Sequence, residues 1–421
     1  ALRMSRGLGD VYKRQGSSRL SPDTRWGNFW SLSASWRLSQ EKFMQSLKSV
    51  LSDLKLRASY GVNGNLPSSY YGYQSTYTTG AFYNGKPSPW ESTLGNEELT
   101  WEKNYALNLG LDIGLFSRVN VSLDWYTRTT KDLLMSKQLN SISGFSSLLT
   151  NVGQMRNTGV ELEVRSNNIK TKDFSWTTAF NLSHNKNKIL KLADLPWFVD
   201  GRYVRKEGYP FNTIYLREYA GVDPETGSAL YYDNQQDENG NYTKNKVTDP
   251  GQASPIPLKD ITPTISGGFM NTFNYKFIDL SFNLSYSFGG YSYDNASYIL
   301  QDDGYSVISN KSTEQRRRWQ KPGDITDVPR FVYGNKKGGN YNSSRAIHST
   351  DHIRLKSLIL GLNAPKAWLQ KLGIGNARIY FSGTNLLTWA AYGQYDPEMS
   401  GVVGFYTPPL KTYAFGLELK F

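Results

Sequence analysis

The sequence contains no cysteine and only three histidines among its 421 residues. Without thiols, a chain has no disulfides, zinc–thiolate sites, iron–sulfur clusters or thiol nucleophiles. Three histidines give little support to a hydrolase triad, and the sequence has no nucleophile elbow, phosphate-binding loop or dinucleotide fingerprint. We therefore predict that the protein is not an enzyme and that it carries no cofactor and no catalytic metal.

Long apolar runs are also missing, because no stretch of the sequence reaches the length of a membrane-spanning helix. The opening segment ALRMSRGLGDVYKRQ is basic and lacks the apolar core of a secretory signal. It also does not fit the pattern that follows. We therefore interpret residues 1–15 as a non-native leader and assign residues 16–421 to a single β-rich architecture.

Aromatic residues are abundant, with 29 Tyr, 19 Phe and 11 Trp in a chain whose hydrophobic fraction is only 38%. The formal net charge is +12, which by itself is compatible with nucleic-acid binding. However, the Lys and Arg residues are spread along the chain instead of being clustered. This distribution favours an anionic lipid surface or an acidic solute, and we predict no nucleic-acid partner.

Polar and apolar residues alternate along the C-terminal segment LKTYAFGLELKF. The apolar set is Tyr413, Phe415, Leu417, Leu419 and Phe421. Because side chains of a β-strand point alternately to opposite faces, this segment predicts a strand with one apolar face. Such a strand suits either a soluble sandwich or the lipid-facing wall of a transmembrane barrel, and one segment leaves both interpretations open.

The same alternation recurs along the chain and predicts about eleven strands in all. The other predicted strands lie within residues 30–38, 54–60, 105–111, 119–125, 160–164, 174–182, 269–275, 278–288, 353–362 and 378–382. Between residues 352 and 362 the alternation changes phase. One extra residue in a strand has this effect, so we predict a β-bulge near Ser357.

The predicted connections alternate between short and long. The long ones span residues 61–104, 128–157, 184–263, 289–351 and 385–411. Outer-membrane barrels have short periplasmic turns and long external loops, whereas compact soluble domains rarely contain such long loops. The fold class we predict is therefore all-β, an antiparallel transmembrane β-barrel. An odd strand count suggests part of a larger barrel, and open edges in a bilayer would prevent this part from folding stably alone.

Aromatic residues at the ends of barrel strands commonly lie at the membrane interfaces. The candidates for this girdle are Trp30, Trp125, Trp176, Tyr413 and Phe421. A second aromatic group lies in the first long loop. Its members Tyr70, Tyr71, Tyr73, Tyr77 and Trp90 are candidates for stacking against a solute. Packing within the loop, or contact with a partner protein, is the alternative interpretation.

Three polar clusters are candidate binding sites. Arg316–Arg318 suits an anion or partner contact, but we favour a role in bracing its loop. The segment Asp233–Asn241 is rich in oxygen ligands but lacks the spacing of a calcium loop, so we predict a hydrophilic loop tip. His348, Asp351 and His352 would suit a metal on a helix, where the two histidines approach each other, whereas at a strand entry the histidines lie too far apart to share one.

Several motifs are more specific than the alternation. They are NEELTWEKNYALNLGLDIGLF (96–116), NVGQMRNTGVELEV (151–164), AGVDPETG (220–227), RWQKPGDITDVPR (318–330), HIRLKSLILGLNAP (352–365) and NLLTWAAYGQYDPE (385–398). Together with the terminal LELKF they resemble the C-terminal barrel region of SusC/RagA-type TonB-linked outer-membrane proteins. We interpret AGVDPETG as a turn motif. The resemblance covers residues 25–421.

The resemblance implies a plugged barrel of about 22 strands in the outer membrane of a Gram-negative cell. Members of this family import oligosaccharides, other glycans or peptides, with energy from the TonB complex and a SusD-like surface lipoprotein as a lid. The plug, the TonB-contacting segment and the early strands are absent from this sequence, so coupling to TonB is expected only of the parent protein. A soluble secreted glycan-binding module and a passive porin are the alternatives.

Overall fold

The computed structural model describes residues 6–192, 195–335, 342–369 and 373–421, and most of them lie in strands or the loops between them. The chain forms two compact units. Unit 1 comprises residues 1–198 and 206–211, and unit 2 comprises residues 199–205 and 212–421. Among the described residues, no helix is long and apolar enough to cross a membrane.

The strands of unit 1 include seven long ones. In chain order the strands are β1 (Arg6–Gly16), β2 (Trp26–Arg37), β3 (Leu51–Asn65), β4 (Thr76–Thr78), β5 (Phe82–Tyr83), β6 (Lys86–Pro87), β7 (Trp90–Thr93), β8 (Glu102–Leu115), β9 (Val119–Lys131), β10 (Leu134–Gln138), β11 (Ser147–Asn151), β12 (Gln154–Lys170) and β13 (Phe174–Lys191). The long strands are antiparallel neighbours in the order β1-β2-β3-β8-β9-β12-β13. Short 3-10 turns cover Leu38–Gln40, Lys42–Leu47 and Ser141–Ser143.

The chain passes between the units through β14 (Trp197–Asp200) and β15 (Tyr203–Lys206). The following strands are β16 (Thr213–Leu216), β17 (Tyr219–Val222), β18 (Ala229–Tyr232), β19 (Lys246–Val247), β20 (Ile256–Asp260), β21 (Ile265–Tyr275), β22 (Ile278–Phe288), β23 (Tyr291–Asp294), β24 (Ile347–Ser349), β25 (His352–Asn363), β26 (Asn376–Ala390), β27 (Gly401–Val403) and β28 (Thr412–Lys420). Five long strands pair in the order β21-β22-β25-β26-β28. The helices α1 (Asn295–Leu300) and α2 (Lys366–Leu369) are short, and 3-10 turns cover Pro250–Gln252, Thr313–Arg317 and Ser344–Ala346.

Every strand predicted from the alternation is present; β1 is an additional long strand, and the other additional strands are short ones within the long connections. The predicted bulge is confirmed as well. The register between β25 and both of its neighbours shifts between Leu355 and Ser357. This shift lets Leu355 and Leu358 share one face of the sheet, which explains the change of phase in the sequence.

The apolar faces of both sheets lie at the surface. Exposed large side chains include Trp30, Leu32, Leu56, Tyr60, Leu109, Leu123 and Trp125 in unit 1, and Ile353, Leu360, Leu362, Ile379, Leu387, Phe415 and Leu417 in unit 2. A soluble sandwich would bury these side chains against a second layer. Their exposure is what a wall in contact with lipid requires, so the barrel interpretation is confirmed.

The buried hydrophobic clusters lie mainly among the loops and the adjoining strand ends. In unit 1 one cluster consists of Leu20, Phe29, Val62, Leu99 and Trp101. Ile214, Leu216, Tyr293 and Ala346 form one in unit 2. The long connections therefore have packed cores of their own, which is how loops of this length stay ordered.

Strand β1 lies almost wholly in residues 1–15, the predicted non-native leader. It pairs with β2 from Arg6↔Trp36 to Gly16↔Trp26. Asp10 lies opposite Leu32 in this ladder, on the apolar face. A carboxylate facing hydrocarbon is unfavourable, and such a residue breaks the alternation that the other strands keep. The non-native origin of residues 1–15 stays a prediction, and residues 1–5 lie outside the described residues.

Candidate functional site

The polar face of the unit 1 sheet carries an ion-pair cluster centred on Arg57. The Arg57 guanidinium donates to Asp112 and to Asp124 at 2.9 Å each, and to the Ser122 hydroxyl at 3.1 Å. Strand periodicity puts these residues on one face of β3, β8 and β9. Gly110 lies between them, and a Cβ there would meet the guanidinium carbon at 2.5 Å.

The unit 2 sheet repeats this arrangement. The Arg378 guanidinium donates to both carboxylate oxygens of Asp279, at 2.6 and 3.2 Å, and Asn363 donates to the same carboxylate at 2.8 Å. A Cβ at Gly361 would meet the Asp279 oxygens at 2.5 Å. In both units a glycine makes room for a charge pair. On both polar faces an arginine is thus paired with one or two aspartates, which suits a surface in contact with water.

The five solute-contact candidates in the first long loop do not form one surface. Tyr70, Tyr71, Tyr77 and Trp90 are exposed, whereas Tyr73 packs against the cluster around Leu99. Tyr77 pairs with Glu91 and Thr78 pairs with Trp90 in the β4–β7 ribbon. Because paired residues share a face, Tyr77 and Trp90 point to opposite sides of the ribbon. Their contact with a solute stays a prediction.

The girdle candidates take two kinds of position. Trp176 pairs with Ile169 beside a short turn, and the fully exposed Phe421 follows β28. Trp30, Trp125 and Tyr413 are exposed on the apolar faces. Trp125 lies within its ladders, whereas Trp30 forms the last pair of the β2–β3 ladder and Tyr413 the last pair but one of the β26–β28 ladder. A role of these five residues at the membrane interface stays a prediction.

Two of the sequence motifs meet in the loops of unit 2. The turn within AGVDPETG closes when the Gly227 amide donates to the Asp223 carbonyl at 2.8 Å, with Gly227 at φ +69°. Trp319, from RWQKPGDITDVPR, lies against Gly227, and its indole NH donates to the Pro224 carbonyl at 2.8 Å. AGVDPETG is therefore architectural, as predicted from its turn residues.

A buried ion pair holds the same loop region together. Asp303 has no exposed side-chain surface and accepts both arms of the Arg345 guanidinium. Gln315 donates to Asp303 at 2.9 Å, and the Arg345 guanidinium lies over the Tyr219 ring at 5.6 Å. Burial opposes the charge on Arg345, but the adjacent Asp303 outweighs it and raises the pKa of Arg345. Sequence reasoning missed this pair because its partners are 42 residues apart.

The polar side chains of the other two candidate clusters, Arg316–Arg318 and Asp233–Asn241, mostly bind groups of the same chain. Arg317 pairs with Glu314 and Asp327, and Arg318 donates to the Gln315 carbonyl at 3.3 Å, which supports the loop-bracing interpretation. The Asp237 carboxylate accepts from the Asn239 and Asn241 amides at 2.9 and 2.8 Å, as in a loop tip. Over the described part of the chain, no group of three acidic or histidine side chains is placed to hold a metal ion.

A concavity of about 810 Å³ is lined mainly by apolar side chains of unit 1 such as Leu56, Leu109 and Trp125. It lies along the face that meets hydrocarbon, so we assign it to lipid contact. A second concavity, in unit 2, has a volume of about 560 Å³ and a mixed lining. We call it the C-terminal cleft.

The C-terminal cleft lies between β25, β26, α1 and the last long connection. Its lining includes Ala296, Leu300, Arg354, Thr388, Ala390, Tyr392, Gln394, Tyr395, Asp396, Pro397, Met399, Phe405, Tyr406 and Pro408. Phe405 and Tyr406 are well exposed, so their rings are available for stacking. Sequence reasoning passed over the four aromatic residues of this lining, although all four fall within the predicted long connection 385–411.

His348 supports one side of this connection. Its ring stacks flat on Tyr392, with the centroids 3.7 Å apart and the planes inclined by 3°. The Nε2 atom is buried and has no hydrogen-bond partner within the described residues. The Tyr392 hydroxyl donates to Asp294 at 3.0 Å, and Tyr395 hydrogen-bonds Ser292. His348 lies in β24 and His352 in β25, so these two histidines are not on a helix that would let them share a metal.

We predict that this stack weakens in acid. Burial lowers the pKa of His348, while Asp294 acts weakly in the opposite sense. An opened loop therefore binds the proton more readily, so the stack is fully stable above about pH 6.5 and loses up to about 1.4 kcal/mol per pH unit below it. Hydrogen exchange of residues 391–399, corrected for intrinsic rates, measures the change. The variant His348→Phe keeps a ring and should lose the pH dependence; an unchanged dependence would contradict this account.

Comparison with known proteins matches the architecture described above. A family model described as "TonB dependent receptor-like, beta-barrel" matches residues 7–214. The chain is 32% identical to TonB-dependent receptor P3 of Formosa agariphila over 97% of this chain and 43% of that protein. It is 30% identical to TonB-dependent receptor SusC of Bacteroides thetaiotaomicron over 96% of this chain and 41% of that one.

Solved structures agree with these relatives. The RagAB peptide transporter matches with a TM-score of 0.89 and 30% identity, over 99% of this chain and 46% of that chain. The RagAB peptide importer in its open-open state matches with a TM-score of 0.88 and 29% identity, over 100% and 46%. The chain spans less than half the length of the relatives and structures it matches.

Exposed apolar faces, charged opposite faces and long loops define an outer-membrane β-barrel of the TonB-dependent receptor class. This class consists of receptors and transporters. Over almost its whole length the chain is similar to SusC and to the RagAB peptide transporter, and the resemblance to the SusC/RagA family found in the sequence is confirmed.

Proposed function

We propose that this chain is the C-terminal barrel portion of an outer-membrane importer that takes up oligosaccharides or peptides. The observation that carries the proposal is the match to the RagAB peptide transporter over 99% of this chain. The similarity to SusC is almost as extensive. Because the chain covers less than half of either protein, uptake is a property of the parent receptor.

Each part of the chain has a defined task in this proposal. The exposed apolar faces anchor the wall in lipid, and the polar faces with their ion pairs line a water-filled interior. The C-terminal cleft contacts the solute through the rings of Phe405 and Tyr406. Aromatic rings suit this task, since they offer large, rigid contact surfaces to sugar rings and to peptide side chains alike.

Partners follow from the same family. A SusD-like surface lipoprotein would close over the external loops, and the TonB complex would supply energy through the part of the receptor that precedes this chain. The similarity to SusC and to the RagAB peptide transporter supports a lid of this kind. The exposed aromatics of the first long loop, such as Tyr77 and Trp90, are candidates for contact with solute or lid.

We also propose that residues 16–421 form the C-terminal portion of a larger barrel. Strand β28 pairs on one side only among the described residues of its own unit, and β2 pairs with β3 on one side and with no strand but β1, of the predicted non-native leader, on the other. An unpaired strand edge is costly in hydrocarbon, so further strands of the parent protein would complete the pairing. The upstream sequence on the source DNA tests this directly, since it should encode a plug and additional alternating strands.

The test of uptake uses the complete receptor gene with its lid lipoprotein, in cells that lack other routes for the solute. Replacing both Phe405 and Tyr406 by alanine should lower uptake affinity about tenfold, since each lost ring contact contributes about 0.5–1.5 kcal/mol. The readout is saturation uptake of labelled oligosaccharide or peptide mixtures. Tyr333→Ala, an exposed aromatic outside the cleft lining, is the matched control.

Two outcomes would contradict the proposal. If neither class of solute is taken up by the unmodified receptor, the importer assignment is wrong. If uptake occurs but the double variant behaves like the Tyr333→Ala control, the cleft does not contact the solute.

A further inference from the structure

Arg354 lies at the loop end of β25 and is almost entirely buried, with 3% of its side chain exposed. Its guanidinium makes three hydrogen bonds with three different side chains. The Nη1 atom donates to Glu398 at 2.8 Å, the Nη2 atom to Asp396 at 2.8 Å, and the Nε atom to the Thr388 hydroxyl at 3.0 Å. All three nitrogen atoms of the guanidinium therefore have protein partners.

The local sequence explains how a buried arginine fits here. Arg354 lies opposite Ser285 on β22 and Thr388 on β26, two small polar residues that leave room for the guanidinium. The β-bulge that follows involves Lys356, whose ammonium donates to Glu398 at 2.7 Å. Two cations of β25 thus meet two carboxylates of the last long connection, and the cluster is electrically balanced.

The carboxylates belong to the wall of the C-terminal cleft. Asp396 also organises its own turn, because its side chain accepts from the Glu398 amide at 2.9 Å and its carbonyl accepts from the Met399 amide at 3.0 Å. Tyr392 and Tyr395, from the same segment, are held by Asp294 and Ser292 of β23. The segment is therefore attached on one side through Arg354 and on the other through two tyrosine hydroxyls.

We propose that Arg354 is the positioning residue of the C-terminal cleft. It offers little surface to a solute, since 3% of its side chain is exposed and each of its three guanidinium nitrogens donates to a protein group. Instead it holds Asp396 and Glu398, and through them it fixes the part of the wall that leads into β27, which pairs with β23 and precedes Phe405 and Tyr406. This inference rests on the proposed function only for its effect on uptake, because the positioning itself is a property of the structure.

Without the guanidinium, Asp396 would remain nearly buried beside Glu398 with no cation to bridge them. Two carboxylates that have lost their bridging cation repel each other, so at least one must move toward water. The turn at Asp396 moves with it, because that carboxylate also accepts an amide of the turn. The expected consequence is a mobile wall in an otherwise folded barrel.

The test uses a nitroxide attached to Gln394→Cys in the complete receptor. This chain has no cysteine, so Gln394→Cys supplies its one thiol for labelling, and any cysteine elsewhere in the complete receptor is first replaced by serine. Gln394 is exposed on the cleft wall between Tyr392 and Asp396. In the background of native Arg354 we expect an immobilised spectrum. Arg354→Met should convert most of it to a mobile component, and Arg354→Lys should restore the immobilised one in part, because a lysine carries the charge but reaches fewer acceptors.

Arg378→Met is the matched control, since it also removes an inward-facing arginine paired with aspartate in unit 2. Arg378 lies on β26 about 30 Å from Thr388, the residue paired with Arg354. Its replacement should therefore leave the label immobilised. Resistance of the barrel to unfolding in detergent identifies variants that fail to fold. An immobilised spectrum in a folded Arg354→Met receptor would overturn the proposal.

Uptake gives an independent readout. Arg354→Met should raise the half-saturation concentration about tenfold or more while leaving the number of assembled receptors unchanged. If the label becomes mobile but uptake is unaltered, Arg354 positions the wall and the cleft is not the solute site, so the proposed function fails at that point and the positioning stands. If uptake falls while the label stays immobilised, the positioning role is overturned.

Discussion

Replacing Leu162 by arginine is expected to lower the stability of the assembled barrel by about 2–4 kcal/mol. Leu162 lies near the middle of β12 and is paired with Leu123 on β9 and Leu182 on β13. All three leucines share the apolar face, and that face is exposed at Leu123. An arginine there would place its charge in hydrocarbon, far from either interface. The fraction of receptor that is folded in isolated outer membranes measures the effect.

The neighbouring residue provides a matched control. Glu161 lies on the polar face directly opposite Asp124, so Glu161→Arg introduces the same side chain where it meets water and a carboxylate. This variant should assemble as well as the unmodified receptor. Equal loss of folded protein in both variants would mean that the two faces of β12 do not differ in solvent, and the assignment of the apolar face to lipid would fail.

The second large effect is expected from Arg345→Met. This change leaves Asp303 without a cation in a site where its side chain has no contact with solvent. Removing one partner of a buried pair typically costs about 3–5 kcal/mol, because the remaining charge is neither hydrated nor compensated. The loops joined by this pair should open without loss of the barrel strands. Hydrogen exchange in residues 299–335 and 342–349, compared with β22 and β26, separates the two responses.

The companion double variant Arg345→Met/Asp303→Asn decides whether the unpaired charge causes the damage. Removing both charges should recover most of the lost protection, since a neutral amide needs only its hydrogen bond from Gln315 or an equivalent partner. A double variant as unstable as the single one would show instead that the shape of the arginine, through its contact with Tyr219, matters more than its charge.

Much of the strand architecture was predictable because it depends on local geometry. The alternation predicted eleven strands, all of which are present, and the change of phase at Ser357 correctly indicated a bulge. The loops were less accessible. The aromatic density of the first long loop drew attention to Tyr73, which is packed inside the loop, whereas Phe405 and Tyr406 at the cleft were passed over.

The sequence by itself determined which residues face lipid and which face water, because the direction of a side chain in a strand follows from its position in the chain. It also determined the family, through motifs that are contiguous in the chain. Only the tertiary structure decided that Arg354 meets Asp396 and Glu398, that Arg345 meets Asp303, and that Trp319 covers Gly227. These residues are about 40 to 90 positions apart, and no local periodicity relates them, so their contacts depend on how the long connections fold back on themselves.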